Sequence, residues 1–281
     1  MNFFISLTDF WNYDFLLYAL GAALVLSLLT GLMFFLVVVK QYAFIGESIS
    51  YSTLLGLNLS LWLSSGDPLT IFFLTLFFTT ILVMGLAYAT HRTTLPSDSL
   101  IGIFLSGTLG LGVLIHFLFV KSKADMTSQL FGNILTVNHT DLLLLIPISL
   151  FILSAFIFRY RSWIYFVLDE EGARIHGIKT GIYHYCFFLM LTLLIVGTAK
   201  LAGTILINAF LLIPGILAYK ITKSMKMVFL TSVLFSIIST LFGLALCNYL
   251  ETPPGSTLAL VQFFSLLIIV GLNKLRKKLW Q

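Results

Sequence analysis

The chain has 281 residues, of which 59% are hydrophobic and only 10% charged, and its mean hydropathy is +1.05. A soluble domain carries about 25% charged residues, so a fold wetted on all sides is excluded and part of its solvent must be lipid. The net charge of +5 does not point to nucleic acid, because the basic residues fall in small clusters between apolar runs and not on one stripe.

The elements follow in chain order. Residues 1–13 contain no Lys or Arg. The first apolar run is too long for a signal-peptide core, so it is expected to stay as an uncleaved anchor. A spanning helix needs about 20 mostly apolar residues. Runs of that kind cover 14–39, 43–64, 69–90, 99–120, 141–158, 182–199, 201–219, 228–249 and 256–272. They predict an all-α polytopic membrane protein with about nine transmembrane helices in a single domain, 1–281. Only Lys200 interrupts 182–219, which is either a tight hairpin or a long bent segment. With the N-terminus outside and the C-terminus inside, every basic residue except Lys121, Lys123 and Lys200 falls on the cytoplasmic side. The positive-inside rule favours that orientation, and it favours two helices within 182–219.

Two stretches are not ordinary spans. Residues 121–140 form a mixed loop expected outside, and 159–181 form the longest charged loop, expected inside. Cys186 and Cys247 lie in apolar runs without a CxxC partner and read as small core hydrophobes. His116 reads as a buried, satisfied histidine. His139 and Asp141 read as a solvated helix start capped by Asn138 or Thr140. Pro214 is expected to kink the seventh span and Asn208 to bond between helices, with Lys200 snorkelling to the outer interface. No G-x-x-x-x-G-K-[ST] phosphate loop occurs, so ATP hydrolysis would need another subunit.

Six segments, in order, resemble the permease subunit of bacterial ABC importers for zinc, manganese and iron. They are Tyr42–Tyr51 (YAFIGESISY) with Leu54-Leu55-Gly56, Ser97–Ile103 with Ser106-Gly107, and Leu130–Leu135 (LFGNIL) within Asp125–Asp141. Leu168–Gly177 (LDEEGARIHG), Gly203–Leu206 leading to Pro214, and Leu250–Thr257 (LETPPGST) complete the set. The resemblance implies a cobalamin-importer-like permease architecture in the bacterial inner membrane. It also implies a cytoplasmic ATP-binding subunit, an extracytoplasmic metal-binding protein and a second permease subunit, homo- or heteromeric. The chain itself would bind lipid but no cofactor, and a divalent metal ion would be its cargo.

The resemblance also carries roles. The loop at about 159–181 would dock on the ATPase, with Asp169, Glu171, Ala173 and Gly177 as coupling candidates. In a short helix Ala173 and Gly177 would share a face, since i and i+4 align, and would let another chain come close. A solvated connector is the plainer alternative. Glu47 lies early in the second span, where a carboxylate costs about 2.5–3.5 kcal/mol or more at mid-bilayer. Tyr51 is one turn later. The family usually has Asp and His at these positions, as metal ligands in the path. Glu keeps an oxygen donor, but a phenol replaces the imidazole that suits zinc. Three readings stay open: an oxygen-rich site of Glu47 with Ser48, Ser50 or backbone that suits manganese or ferrous iron, the weaker half of a heterodimer, or two hydrogen-bonded residues with no metal role. A secondary cation transporter with Glu47 as an ion or proton relay is the rival from another class.

Overall fold

The computed structural model describes residues 14–64, 67–120, 132, 139–222, 224–250, 252 and 254–279. Without water to satisfy its peptide groups, a chain in lipid bonds them within helices, and the described residues fold accordingly. They form α1 (Asp14–Val39), α2 (Ile45–Leu63), α3 (Pro68–Arg92), α4 (Ser97–Ile115), α5 (His139–Phe158), α6 (Tyr160–Leu168), α7 (Glu170–Ile175), α8 (Thr180–Ile221), α9 (Met225–Leu250) and α10 (Pro254–Leu279). The end of α4 widens into a π turn, His116–Val120.

Among the described residues, six stretches are long and apolar enough to cross a membrane: Leu20–Val39, Pro68–Arg92, Ser97–Val120, His139–Phe158, Thr180–Ala199 and Met227–Cys247. Ile207–Ile221 and Gly255–Gly271 are apolar but shorter. The region expected as two helices around Lys200 is helical throughout except at Gly203, whose φ of 67° and ψ of 168° break it. The break is therefore three residues later than the charge suggested. It falls at a residue that enters positive φ without a Cβ clash.

The helices sort into two compact units, interleaved in sequence. The first gathers residues up to Val38, then Leu130–Ile146 and Lys200–Gln281. Small residues allow close approach inside it. A Cβ on Gly31 would lie 2.8 Å from Val233 Cγ2 of α9, and one on Gly243 would lie 2.5 Å from Leu258 Cδ2 of α10. Buried hydroxyls Ser27 Oγ and Thr240 Oγ1, 2.9 Å apart, add a polar tie between α1 and α9.

The second unit holds Val39–Gln129 and Pro147–Ala199. Its centre is α2, which is not among the six apolar stretches because it carries Ser48, Ser50, Ser52, Thr53, Asn58 and Ser60, all buried. α3 and α4 enclose it. Ser60 Oγ meets Thr75 Oγ1 of α3 at 2.9 Å, and Asn58 Nδ2 donates to the Gly112 carbonyl of α4 at 3.1 Å. The Oδ1 of the same asparagine lies 3.2 Å from Nδ1 of buried His116, which is thus the satisfied histidine that was expected. Large apolar side chains of α3 point the other way: Phe73, Phe77, Ile81 and Tyr88 are exposed. Polar groups inside and aromatic groups outside are what a lipid solvent favours.

Backbone proximity between α2 and α3 makes a test. A Cβ on Gly56 would lie 2.6 Å from Thr79 Oγ1 and 3.1 Å from the Thr75 carbonyl, whereas one on Gly85 meets nothing within 4 Å. Overpacking a core costs about 1–3 kcal/mol. Gly56→Val should therefore lower the thermal unfolding midpoint of the full chain in detergent, and Gly85→Ala should leave it unchanged or raise it slightly.

Candidate functional site

Two regions of the second unit carry the candidate residues. The first is the start of α2. Glu47 sits in its first turn, where a helix N-terminus stabilises a negative charge by about 0.3–1 kcal/mol. Glu47 and Tyr51 are both half-buried, in an otherwise enclosed stretch, and the carboxylate is near enough to act electrostatically on the phenol. Ser50 differs from them. It is 0% exposed, and its hydroxyl has no hydrogen-bond partner. The structure thus pairs Glu47 with Tyr51 on a partly open strip and places Ser50 in the interior. Among the described residues, no three His, Cys, Asp or Glu side chains cluster as metal ligands.

The second region lies outside the spans, around α6 and α7. Asp169 caps α7: its carboxylate accepts from Gly172 N at 2.9 Å. The helix then stops after six residues. Ile178 N donates to the Ala173 carbonyl at 2.9 Å and Gly177 N to that of Arg174 at 3.0 Å, while Gly177 takes a φ of 76°. This is a Schellman stop, in which glycine supplies the left-handed residue.

That geometry corrects the expected docking face. Ala173 and Gly177 do not share a helical face, because Gly177 lies past the helix end. Ala173 is 0% exposed, so it packs inward. The outward side carries Glu171 and, one turn on, Ile175, which is 85% exposed. Sequence reasoning missed Ile175. The signal was available: an isoleucine four residues after the acidic run Asp169–Glu171 and two before the glycine stop.

A charged network holds α7 in place, and sequence reasoning missed this too. Lys40, just beyond α1, bonds Glu170 Oε2 at 2.7 Å, and Arg174 bonds Oε1 at 2.9 Å. Arg174 Nε reaches Thr180 Oγ1, at the start of α8, at 2.9 Å. The Lys40 ammonium also stands 4.0 Å from the centre of the Phe166 ring in α6, a favourable cation–π placement. Nearby, Tyr42 packs on Phe187 and Phe188 of α8, with the Ser97 side chain close enough to act on its hydroxyl. Burial holds its phenol above the ordinary tyrosine range. The Ser97 side chain opposes this, and Glu170 and Asp98 add to it. Segments around 42, 97 and 170 therefore meet at one end of the unit.

Remaining candidates take ordinary places. Cys186 and Cys247 are free, and Cys247 Sγ donates to the Thr252 carbonyl at 2.8 Å. His139 and Thr140 are exposed at the start of α5, where His139 lies edge-on to Tyr18. Asn138, the Lys200 side chain and, apart from Gly132, the Leu130–Leu135 segment lie outside the described residues.

Apolar helices that enclose a polar helix, with an ordered charged loop between two spans, fit a multi-pass membrane protein. The chain belongs to the ABC 3 transport family, whose model matches residues 12–273. It is 30% identical to the probable iron transport system membrane protein of Haemophilus influenzae, with 94% of this chain and 96% of that protein covered. It is 27% identical to the manganese transport system membrane protein MntC of Halalkalibacterium halodurans, over 89% and 84% of the two. Among solved structures, PsaBC from Streptococcus pneumoniae in complex with Fab contains a chain 28% identical to this one. It superposes with a TM-score of 0.82 over 94% of each. The six-segment resemblance is thereby established at the level of the family.

The Glu170 network makes a prediction with a definite sign. Burial works to raise the Glu170 carboxyl, but the hydrogen bond and charge of Lys40, then of Arg174, outweigh it and hold it below the ordinary value of 4.5. Its contribution is thus complete above about pH 4.5 and is lost as pH falls through the lowered value. Lys40→Met should destabilise the full chain by about 1 kcal/mol near pH 7, less than a fully buried charged hydrogen bond because Glu170 keeps 32% exposure. The difference from wild type should shrink as pH falls below that titration, measured by thermal unfolding in detergent across a pH series.

Proposed function

We propose that this chain is the membrane-spanning subunit of an ATP-driven importer. It would carry a divalent transition-metal ion, manganese, ferrous iron or zinc, across the bacterial cytoplasmic membrane. The family match over residues 12–273 carries the reading, and relatives named for iron and manganese transport support the cargo class. The basic-residue bias supports about nine spans with the N-terminus outside and the C-terminus inside. In this reading the 281 residues form one permease domain of cobalamin-importer type. A second permease copy or homologue completes the path, a binding protein delivers the ion outside, and two ATPase subunits act inside. The metal is cargo, and the chain holds no cofactor.

The ion passes the start of α2. Glu47 offers a carboxylate and Tyr51 a neutral phenol, both at a partly open strip that a second permease subunit would close. An oxygen-rich, sparse ligand set suits manganese or ferrous iron better than zinc and binds weakly enough to release. Ser50, buried with an unpartnered hydroxyl, lends a polar lining without facing that strip. The ATPase grips the outward side of α7, through Glu171 and Ile175. Asp169 and Gly177 fix the two ends of that short helix, and the inward methyl of Ala173 seats it. Movement of α7 would reach α2 through Glu170 and Lys40, four residues before Phe44 closes the turn into that helix.

Two experiments check this. In vesicles containing the whole transporter, Glu47→Gln should slow manganese or iron uptake by about tenfold or more, equivalent to ~1.4 kcal/mol of barrier, with assembly intact. Tyr51→His should shift preference toward zinc. Unchanged rates and selectivity in both would remove these residues from the path. Separately, Ile175→Asp should cost most of the co-purifying ATPase while leaving the monomer's unfolding midpoint near wild type. If no nucleotide-binding subunit co-purifies with the wild-type chain, the ATP-driven reading fails.

A further inference from the structure

A cavity of about 590 Å³ opens beside the second unit's extramembrane loop. Its size falls within the range of small-molecule sites. Its walls are apolar where they run along the spans: Phe151 and Ala155 from α5, and Ile182, Cys186, Leu189 and Met190 from α8. At one end it is lined by Arg159 and Lys179. Arg159 follows the span that ends at Phe158, and Lys179 precedes the span that begins at Thr180. Both cations therefore stand at the level where a bilayer changes from acyl chain to headgroup.

Their charges are not otherwise used. Lys40 and Arg174 share Glu170, whereas Arg159 and Lys179 are both exposed and have no carboxylate within ion-pair distance among the described residues. Arg159 is instead steadied by the Tyr183 hydroxyl, which accepts from Nη1 at 3.4 Å. Tyr183 stands edge-on to Trp163, ring centres 5.0 Å apart, and Trp163 Nε1 is satisfied by the Ala155 carbonyl at 3.1 Å. An aromatic pair at this depth matches the interfacial belts of membrane proteins.

We propose that this cavity is a binding site for an anionic glycerophospholipid. The phosphate diester sits between Arg159 and Lys179, and one acyl chain runs along Phe151, Ile182 and Leu189. Charge complementarity selects the headgroup, and the apolar walls require an acyl chain that a soluble phosphate lacks. Basic pockets between spans recognise acidic lipids on these terms. The inference needs only that α5 and α8 span a bilayer. It stands or falls separately from the ATP-driven reading.

Native mass spectrometry of the purified full chain tests it, with phosphatidylglycerol and phosphatidylcholine of the same acyl composition. Phosphatidylglycerol should be retained preferentially, by about fivefold for each cation. A large excess of glycerophosphoglycerol, which has no acyl chains, should not displace it. Arg159→Gln with Lys179→Gln should bring the two lipids to parity. Ala155→Phe, which fills the cavity and keeps both cations, should reduce retention of phosphatidylglycerol. Arg92→Gln, at another span end and outside the cavity, should change nothing. Equal retention of the two lipids by the wild-type chain overturns the proposal whatever the variants do. So does displacement by glycerophosphoglycerol, or an Arg92→Gln effect as large as that of the double variant.

Discussion

One carboxylate organises the extramembrane end of the second unit. Glu170 accepts Lys40 on one oxygen and Arg174 on the other, and Arg174 passes on to Thr180. The exit of α1, 130 residues away, is thereby tied to the short helix α7 and, through Arg174, to the entry of α8. Removing either cation leaves the other to hold a half-buried charge. Removing Glu170 leaves Lys40 only 13% exposed beside an aromatic ring. A charge so enclosed is costly without its partner, so the short helix and its neighbours hold one another in register.

Beyond the loop, lipid sets the terms. In a soluble protein a helix rich in serine and threonine would face water. Here α2 is the enclosed one, and its hydroxyls mostly satisfy themselves on the carbonyls of the preceding turn, as Ser52 does on Ser48 and Thr53 on Ile49. Apolar burial does not drive span association when the outside is equally apolar. Close packing and interhelical hydrogen bonds take its place. Gly56 against α3 and Gly112 against α2 provide the first, and Asn58 provides the second.

Much of this was legible beforehand, because helix existence depends on local composition. Each apolar run is helical over most of its described residues, and His116 is buried and bonded as its position deep in a run implied. What stayed hidden depends on tertiary contact. Lys40 and Glu170 are 130 residues apart, and nothing local distinguishes Glu170 from Asp169 and Glu171. Periodicity also misled. It aligned Ala173 with Gly177 by assuming that the helix continued, whereas the glycine itself was the stop signal. The Gly203 break escaped for a related reason: Lys200 drew attention as the only charge, although a lysine at a span end can snorkel without interrupting a helix.

The enclosure of α2 bears on where a carboxylate can stand in such a chain. At a lipid-facing position Glu47 would pay the full cost of a charge in hydrocarbon. Buried as deeply as Ser50, it would need a cation that the described surroundings do not supply. The first turn of α2 avoids both. The helix dipole favours a negative charge there, half-burial leaves it reachable, and the Lys40–Glu170 pair lies just beyond the start of the same helix. A carboxylate at this point is stable enough to persist and exposed enough to meet a cation. That combination distinguishes Glu47 from every other acidic residue described inside a helix of the second unit: Asp98 sits at an exposed helix start, and Glu170 and Glu171 belong to the loop.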